Sequence, residues 1–98
     1  MNNKLKISII TVTKNSEKYL DETIKSLDNQ TYRNFEHIII DGKSSDKTID
    51  IINKNSNKIS YWVSEQDNGL YDAMNKGIKK TTGDVIGILN SDDLYYPN

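Results

Sequence analysis

The sequence predicts a three-layer α/β/α domain built on an open parallel sheet. Four short apolar runs rich in β-branched residues alternate with segments whose apolar residues recur every three or four positions. Each intervening segment is long enough for a helical crossover, and such crossovers make neighbouring strands parallel. No Pro-rich or Gly-rich linker divides the 98 residues, so one β-α-β-α-β-α-β unit is expected over residues 1–98.

The strands are predicted at residues 6–13 (KISIITVT), 35–40 (FEHIII), 59–63 (ISYWV) and 84–89 (DVIGIL). Short continuous apolar runs are typical of parallel strands that are covered on both faces. The favoured strand order is 3-2-1-4. His37, inside the second run, is interpreted as a structural or surface residue. Packing is the favoured role for three aromatic residues, Tyr61, Trp62 and Tyr71.

The first helix is expected within residues 16–30 (SEKYLDETIKSLDNQ), where Ile24 and Leu27 recur at helical spacing. Asn15 or Ser16 precedes this segment and has the side-chain oxygen of a good N-cap. Acidic residues in the first turns favour the positive end of the helix dipole. The sequence therefore predicts a capped helix that crosses from the first strand to the second.

The second and third helices follow the second and third strands. A turn rich in capping residues after Asp41 leads into a short helix that carries Ile49 and Ile52 inward. The third helix is expected to begin near Leu70 and to be terminated by Gly83. Its inward stripe is predicted from helical spacing to be Leu70, Met74, Gly77 and Ile78.

Composition limits the classes of function. Thirteen basic and fourteen acidic residues give a net charge of -1, whereas nucleic-acid and membrane-surface binders usually carry a basic excess. The absence of cysteine excludes disulfides and thiolate metal sites, so a metal would be bound by oxygen or by His37. No apolar run approaches the ~20 residues of a membrane span. The N-terminal residues enter a strand pattern rather than a signal peptide, so a cytoplasmic location is expected.

Polar residues follow every predicted strand at its carboxyl end. In strand order they are Thr11, Thr13 and Asn15, then Asp41, then Glu65 and Asp67, and finally Asp92 and Asp93. Parallel strands bring these residues to one edge, where open α/β sheets bind ligands. Converging carboxylates repel one another unless a cation or hydrogen-bond donors compensate. Oxygen ligands point to Mg²⁺ or Mn²⁺, ions that commonly accompany phosphates.

Each of these features also has a structural interpretation. Asp41 with the following Gly, Ser and Thr residues is also a common turn and N-cap pattern. An isolated Asp92-Asp93 pair is more often a solvated loop or a helix cap, and Asn15 is more often a cap than a ligand. The first strand-to-helix turn lacks the glycines of a dinucleotide site, and no P-loop is present. No single motif decides the matter, but the occurrence of all these polar residues at one edge of the sheet favours a binding site.

Three segments resemble the family 2 glycosyltransferases, which have the GT-A fold. They are ISIITVTKN, SLDNQTYRNFEHIIIDGKSSDKT and DNGLYDAMNKGIKKTTGDVIGILNSDD, and together they cover essentially the whole chain. The third segment resembles the subgroup that builds bacterial surface polysaccharides. The resemblance implies an inverting, metal-dependent enzyme that transfers sugar from a nucleotide sugar, with UDP-sugar favoured, to a saccharide or lipid-linked acceptor.

The resemblance also implies roles for individual residues. The backbone at Thr11, Val12 and Thr13 would line the nucleoside pocket, beside Lys14. Asp41 would accept a hydrogen bond from the base, typically from N3–H of uracil. Asp92 would contact the ribose or the metal, Asp93 would coordinate Mg²⁺ or Mn²⁺, and two further pocket residues would be Asp67 and Asn75.

The chain departs from the family pattern at three positions and in length. Val12 stands where Pro is frequent, Lys14 where an aromatic residue often stacks on the base, and Asn90 at the first position of the acidic triplet. Family members generally continue for well over a hundred residues, and the general base is expected beyond residue 98. The chain is therefore expected to be a donor-site half, inactive alone and peripheral to the inner membrane face in the full enzyme.

Two other functions are open at this stage. One is a non-catalytic nucleotide-binding or assembly module that works with a partner chain, including a homodimer formed through an exposed sheet edge or face. The other is a doubly wound signalling domain of the response-regulator type, which needs Thr and Lys residues at later strand ends. Nucleotide titration with and without metal tests the donor-site function, and sedimentation tests the homodimer.

Overall fold

The computed structural model describes residues 5–90, and these form four strands and three α-helices in alternation. The strands are β1 (Ile7–Thr13), β2 (Phe35–Asp41), β3 (Tyr61–Ser64) and β4 (Val85–Ile88). The helices are α1 (Leu20–Asp28), α2 (Thr48–Lys54) and α3 (Leu70–Ile78), with a short 3₁₀ turn at Ser56–Lys58. All three strand pairings are parallel, and the strand order is β3-β2-β1-β4. The predicted fold class and strand order are confirmed.

The helices cover both faces of the sheet. On one face, Leu20 and Ile24 of α1 and Ile52 of α2 pack against Ile39 of β2. On the other face, Ala73 of α3 packs in a cluster with isoleucines from β1 and β2. Tyr61 and Trp62 of β3 are half-buried and pack against opposite faces, as predicted. Alternating side chains of the central strands therefore fill two separate halves of the core.

The start of α1 differs from the prediction. The helix begins at Leu20, and its N-cap residue Tyr19 makes no side-chain capping hydrogen bond. Asn15 has a positive φ of 50° and its Oδ1 accepts a hydrogen bond from the backbone N–H of Ser45. Asn15 therefore joins the loop after β1 to the loop after β2, and neither it nor Ser16 is the cap of α1.

The inward face of α3 also differs from the predicted stripe. Ala73 and Gly77 are the buried residues, whereas Leu70 is 51% exposed and Ile78 is 45% exposed. A Cβ atom at Gly77 would lie 2.7 Å from Cγ2 of Ile10, so α3 approaches β1 closely only because these helix positions are small. Tyr71 is 81% exposed, and its predicted packing role is therefore wrong.

Gly83 does not terminate α3, which ends at Ile78. Instead Gly83 lies against β1, where an added Cβ atom would be 2.6 Å from Oγ of Ser8 and 2.7 Å from the carbonyl oxygen of Lys6. Its N–H donates to Oγ of Ser8 at 2.8 Å, and Ser8 in turn donates to the Glu36 carboxylate at 2.6 Å. This glycine lets the chain enter β4 beside β1.

Candidate functional site

Three loops meet at the carboxyl edge of the sheet, because β1, β2 and β3 are parallel and end at Thr13, Asp41 and Ser64. Between these loops lies a cavity of about 660 Å³, here called the edge cavity. It is lined by Val12, Thr13, Lys14, Ser16, Gly42, Lys43, Gln66, Asp67, Gly69 and Leu70. A cavity of this size at this edge is the expected place for a small-molecule ligand in an open α/β sheet.

Asp41 is the buried centre of this edge. Its carboxylate is fully buried and accepts hydrogen bonds from three side-chain hydroxyls and one backbone N–H. Oδ1 accepts from Thr13 at 2.5 Å and from the Ser44 hydroxyl at 2.6 Å. Oδ2 accepts from the Ser44 N–H and from the Ser64 hydroxyl, both at 2.8 Å. The donors come from β1, from β3 and from the loop after β2.

The charge of Asp41 is stabilised by these donors. Burial raises the pKa of its carboxyl group, but the hydrogen bonds from Ser44, Thr13 and Ser64 outweigh burial and lower the pKa below its ordinary value of 3.8. A carboxylate has about four lone-pair sites, and all of them have donors here. Asp41 is also absent from the lining of the edge cavity. In this structure Asp41 anchors the loop after β2, and its contact with the base stays a prediction.

Lys14 connects the loop after β1 to the loop after β2. Its Nζ donates to the carbonyl oxygen of Gly42 at 2.7 Å and to that of Lys43 at 3.3 Å. Gly42 itself donates its N–H to the carbonyl oxygen of Thr13 at 2.9 Å, and Lys43 has a positive φ of 60°. Lys14 thus links the two loops at the wall of the edge cavity, which it helps to line.

Asp67 approaches the same wall from the loop after β3. Its Oδ1 accepts a hydrogen bond from the N–H of Gly69 at 3.1 Å, which fixes the side chain in a local turn. A Cβ atom at Gly42 would lie 2.9 Å from Oδ2 of Asp67 and 3.4 Å from Cδ of Lys14. Gly42 therefore leaves the space that both side chains use.

Thr11 and His37 lie below the cavity, inside the sheet. Thr11 is fully buried, and its hydroxyl lies 2.7 Å from Nε2 of His37. Burial lowers the pKa of His37 from its ordinary value of 6.5 to about 4, so the ring is neutral at pH 7. This confirms His37 as a structural residue. Thr11 does not line the edge cavity, in contrast to Val12 and Thr13.

Asn75 is exposed on α3 and does not line the edge cavity formed by the described residues. Asp92 and Asp93, the predicted metal ligands, lie outside residues 5–90 and follow the end of β4 in sequence. Within residues 5–90 no group of three potential metal-ligating side chains comes together. Asp67 supplies the only carboxylate among the described lining residues, and its oxygens suit Mg²⁺ or Mn²⁺.

The prediction from sequence missed several residues of this edge. Ser44 and Ser64 complete the Asp41 hydrogen bonds, while Gly42, Lys43 and Gln66 line the cavity. The Asp41-Gly42 pair at a strand end was a usable signal, since a glycine there marks either a turn or a close approach. No local pattern indicates that a serine of β3 reaches Asp41.

The profile of Glycosyl transferase family 2 matches residues 8–98 of the sequence. The chain belongs to glycosyltransferase family 2. A glycosyltransferase from Mycobacterium tuberculosis is 41% identical over 90 residues, which are 91% of this chain and 34% of that protein. A Methanococcus voltae enzyme, named as a diacetamido-dideoxy-glucuronosyltransferase acting on dolichyl N-acetyl-glucosaminyl phosphate, is 41% identical over 87% of this chain and 28% of its own.

Solved structures agree with this family assignment. TarS residues 1–349 of S. aureus, determined in complex with UDP-GlcNAc, superpose with a TM-score of 0.86 and 31% identity over 94% of this chain and 28% of that chain. A mannosyltransferase from Pyrobaculum calidifontis, determined with GDP-Man and Mn²⁺, gives a TM-score of 0.87 over 94% of this chain and 29% of its own. At 21% identity this second likeness shows the fold alone. The family 2 chain spans about a third of the length of its relatives.

Proposed function

We propose that this chain forms the donor-site part of an inverting glycosyltransferase that binds a UDP-sugar together with Mg²⁺ or Mn²⁺. The proposed reaction transfers the sugar to a saccharide or lipid-linked acceptor in surface-polysaccharide synthesis. Its proposed setting is the cytoplasm, with the full enzyme peripheral to the inner face of the membrane. No helix in residues 5–90 is both long and apolar enough to cross a bilayer.

The observation that carries this proposal is the edge cavity itself. Its volume of about 660 Å³ lies within the roughly 300–1,000 Å³ of typical small-molecule sites. It lies at the carboxyl ends of three parallel strands, and it combines backbone from β1 with the charged groups of Lys14 and Asp67. Backbone groups, lysine side chains and one carboxylate are the kinds of polar group that orient a ligand in a largely preformed site.

The relatives support the choice of donor and acceptor. TarS, at 31% identity, was determined with UDP-GlcNAc, which favours a uridine diphosphate sugar here. The name of the Methanococcus voltae relative describes transfer to a dolichyl-linked sugar phosphate, which favours a lipid-linked acceptor. Because this chain spans less than a third of the length of both relatives, the donor and the acceptor belong to the proposal.

In the proposed chemistry the cation stabilises charge, and the protein residues hold the cation and position the nucleoside. A bound Mg²⁺ or Mn²⁺ supplies positive charge that stabilises the departing nucleoside diphosphate. Asp92 and Asp93 would hold this ion through oxygen, since they follow β4 and the chain has no cysteine. Val12, Thr13 and Lys14 would position the nucleoside, and Asp41 would keep the loop after β2 in place. The general base is proposed to lie outside these 98 residues.

Calorimetric titration of UDP tests the proposal directly. With Mn²⁺ present, UDP should bind, and chelation of the metal should weaken binding by about tenfold or more. Asp93→Ala should give the same loss. Asp50→Ala is the matched control, because it removes one exposed carboxylate from α2, outside the edge cavity. Equal UDP affinity with and without metal, or no binding at all, would contradict the donor-site function.

A second candidate function is an assembly module, and the exposure of β4 favours it. This strand lies at one edge of the sheet formed by residues 5–90, and Val85, Ile86 and Ile88 are between 42% and 45% exposed. Exposed apolar edge strands are prone to pair with another chain. A homodimer through β4 should appear in sedimentation velocity and should be reduced by Ile86→Lys. A monomer at high concentration would contradict this candidate while leaving the donor-site proposal intact.

A further inference from the structure

Asn68 is the one asparagine of the sequence that is followed directly by a glycine. It lies in the loop between β3 and α3, where both Asn68 and Gly69 are exposed. The backbone N–H of Asn68 donates to Asp72, but its side-chain amide has no hydrogen-bond partner among residues 5–90. The amide is therefore open to solvent and can turn toward the main chain.

Gly69 leaves room for its own backbone nitrogen to approach that amide. It has a positive φ of 106°, and an added Cβ atom would meet nothing within 4 Å. Its N–H donates to Oδ1 of Asp67 and, within residues 5–90, to no backbone carbonyl oxygen. The nitrogen can therefore move without the loss of a helix or sheet hydrogen bond. A residue with a side chain would crowd this approach, whereas glycine does not.

Opposing charges act on the Gly69 nitrogen. Gly69 is the N-cap residue of α3, and the partial positive charge of a helix N-terminus favours a nitrogen that has lost its proton. The Asp67 carboxylate opposes this loss, because it accepts the N–H at 3.1 Å and would repel a nitrogen anion. Asp72 adds a second negative charge through its hydrogen bond of 2.9 Å with the N–H of Asn68. The geometry therefore permits attack by this nitrogen, and Asp67 restrains it.

We infer that Asn68 is a site of spontaneous deamidation, at which the asparagine becomes an aspartate or an isoaspartate. Hydroxide removes the Gly69 N–H proton, and the nitrogen forms a bond to Cγ of Asn68. The C–N bond of the side-chain amide breaks, and ammonia leaves with a proton from water, which gives a succinimide ring. Water then opens the ring at Cγ to give aspartate, or at the main-chain carbonyl carbon to give isoaspartate. No atom changes oxidation state, so the reaction needs only water.

Deamidation would change the wall of the edge cavity, because Asp67 and Gly69, on either side of Asn68, both line it. Either product adds a negative charge beside Asp67. Isoaspartate also inserts a methylene group into the main chain, which shifts Gly69 away from Asp67 and breaks the hydrogen bond between them. The inference concerns the chain itself and does not depend on which ligand the cavity binds.

The fold protects two other positions at which the same ring could form. Asp41 is also followed by a glycine, but its carboxylate is fully buried and accepts four hydrogen bonds. Asn55 is only 2% exposed, and its Nδ2 donates to Asp21 at 3.0 Å. Both side chains must leave their partners before they react, whereas Asn68 has none to leave among residues 5–90. A comparison of folded with unfolded chain therefore separates the effect of the structure from that of the Asn-Gly sequence.

The experiment incubates the chain in H₂¹⁸O at neutral and at mildly alkaline pH and maps its peptides by mass spectrometry. We expect the Asn68 peptide to take up solvent oxygen first, as a mixture of aspartate and isoaspartate, and faster at the higher pH. Unfolding in guanidinium chloride should accelerate the reactions of Asn55 and Asp41 strongly and that of Asn68 little. Asn68→Gln should remove the product, because the longer side chain closes a ring less readily.

Asp67→Asn tests the restraint by the carboxylate. The amide oxygen can still accept the Gly69 N–H, but the negative charge is gone, so Asn68 should react faster. Asp50→Asn removes an exposed carboxylate from α2 and should leave the rate unchanged. Absence of product at Asn68, or protection of Asn68 by the fold as strong as that of Asn55, overturns the inference on the unaltered chain. An equal or lower rate in Asp67→Asn overturns the role of the carboxylate.

Discussion

The Thr13 hydroxyl donates a hydrogen bond of 2.5 Å to Oδ1 of Asp41, and the two residues are register partners at the ends of β1 and β2. This contact joins the two central strands where the cavity begins. Ser44 and Ser64 add three more hydrogen bonds to the same carboxylate, so strands β1, β2 and β3 share one anchor. The shape of the edge cavity therefore depends on a residue that does not line it.

Replacement of Asp41 should destabilise the fold. Asp41→Ala would leave the Ser44 N–H and three hydroxyl groups without their acceptor, at a cost of about 1–3 kcal/mol or more in the free energy of unfolding. Asp41→Asn should cost less, because its amide oxygen still accepts from the Ser44 N–H and the hydroxyl groups can rotate. Urea unfolding at pH 7 measures both effects.

The contribution of Asp41 to the free energy of unfolding should also depend on pH. Its folded-state pKa lies below the ordinary value of 3.8, so the stabilisation is complete above that value and is lost as the pH falls through the folded pKa. The difference in unfolding free energy between wild type and Asp41→Asn should therefore be constant from pH 7 to pH 5 and shrink below pH 4. A difference that grows on acidification would contradict the role assigned to this carboxylate.

His37 should govern stability in a different pH range. Burial lowers its folded-state pKa from 6.5 to about 4, so the unfolded chain takes up the proton first as the pH falls. The free energy of unfolding should decline between about pH 6.5 and pH 4, by roughly 3 kcal/mol in total. His37→Gln keeps a partner for the Thr11 hydroxyl and should remove this decline. The same slope in the variant would assign the decline to other groups.

Gly42→Ala should affect ligand binding more than folding. The added methyl group would lie 2.9 Å from Oδ2 of Asp67, which is the end of a side chain that can move away. We expect UDP affinity to fall by about tenfold, as for one lost hydrogen bond to a charged group, with a change in stability below about 1 kcal/mol. Calorimetry and urea unfolding measure the two quantities.

Gly83→Ala is the matched comparison for Gly42→Ala. Its added methyl group would meet the backbone oxygen of Lys6 at 2.7 Å, where no side-chain movement relieves the contact. This variant should lose stability by about 1–3 kcal/mol through overpacking. If Gly42→Ala lost as much stability and retained UDP affinity, Gly42 would be a packing residue rather than part of the site.

The elements of the fold were predictable because their signals are local. Apolar β-branched runs gave the four strands, and the spacing of Ile24 and Leu27 gave α1. The errors occur where a distant contact decides the outcome. Gly77 is buried because α3 packs on Ile10, and Gly83 serves the entry to β4 rather than the end of α3. Neither contact is visible in a window of neighbouring residues.

The position of the candidate site in the sheet could be predicted from the sequence, but its side-chain contacts could not. Parallel topology fixes the edge at which Thr13, Asp41 and Asp67 meet. The burial of Asp41 depends on Ser64, which lies 23 residues further along the chain, and the sequence has no signal for that contact. Lys14 was expected beside the base, but its hydrogen bond to Gly42 becomes evident only from the fold. The roles within the cavity follow from tertiary contacts.

Whether the nucleotide binds in the edge cavity is the central claim. Nuclear magnetic resonance of the ¹⁵N-labelled chain during titration with UDP and Mg²⁺ tests it most directly. The account predicts that the largest amide shifts fall on the cavity wall, at Thr13, Lys14, Gly42, Lys43 and Asp67. A second cavity of about 310 Å³, lined by residues that include Tyr61, Lys76 and Lys80, provides an internal comparison. Shifts confined to that second cavity, or no shifts at saturating UDP and Mg²⁺, would contradict the account.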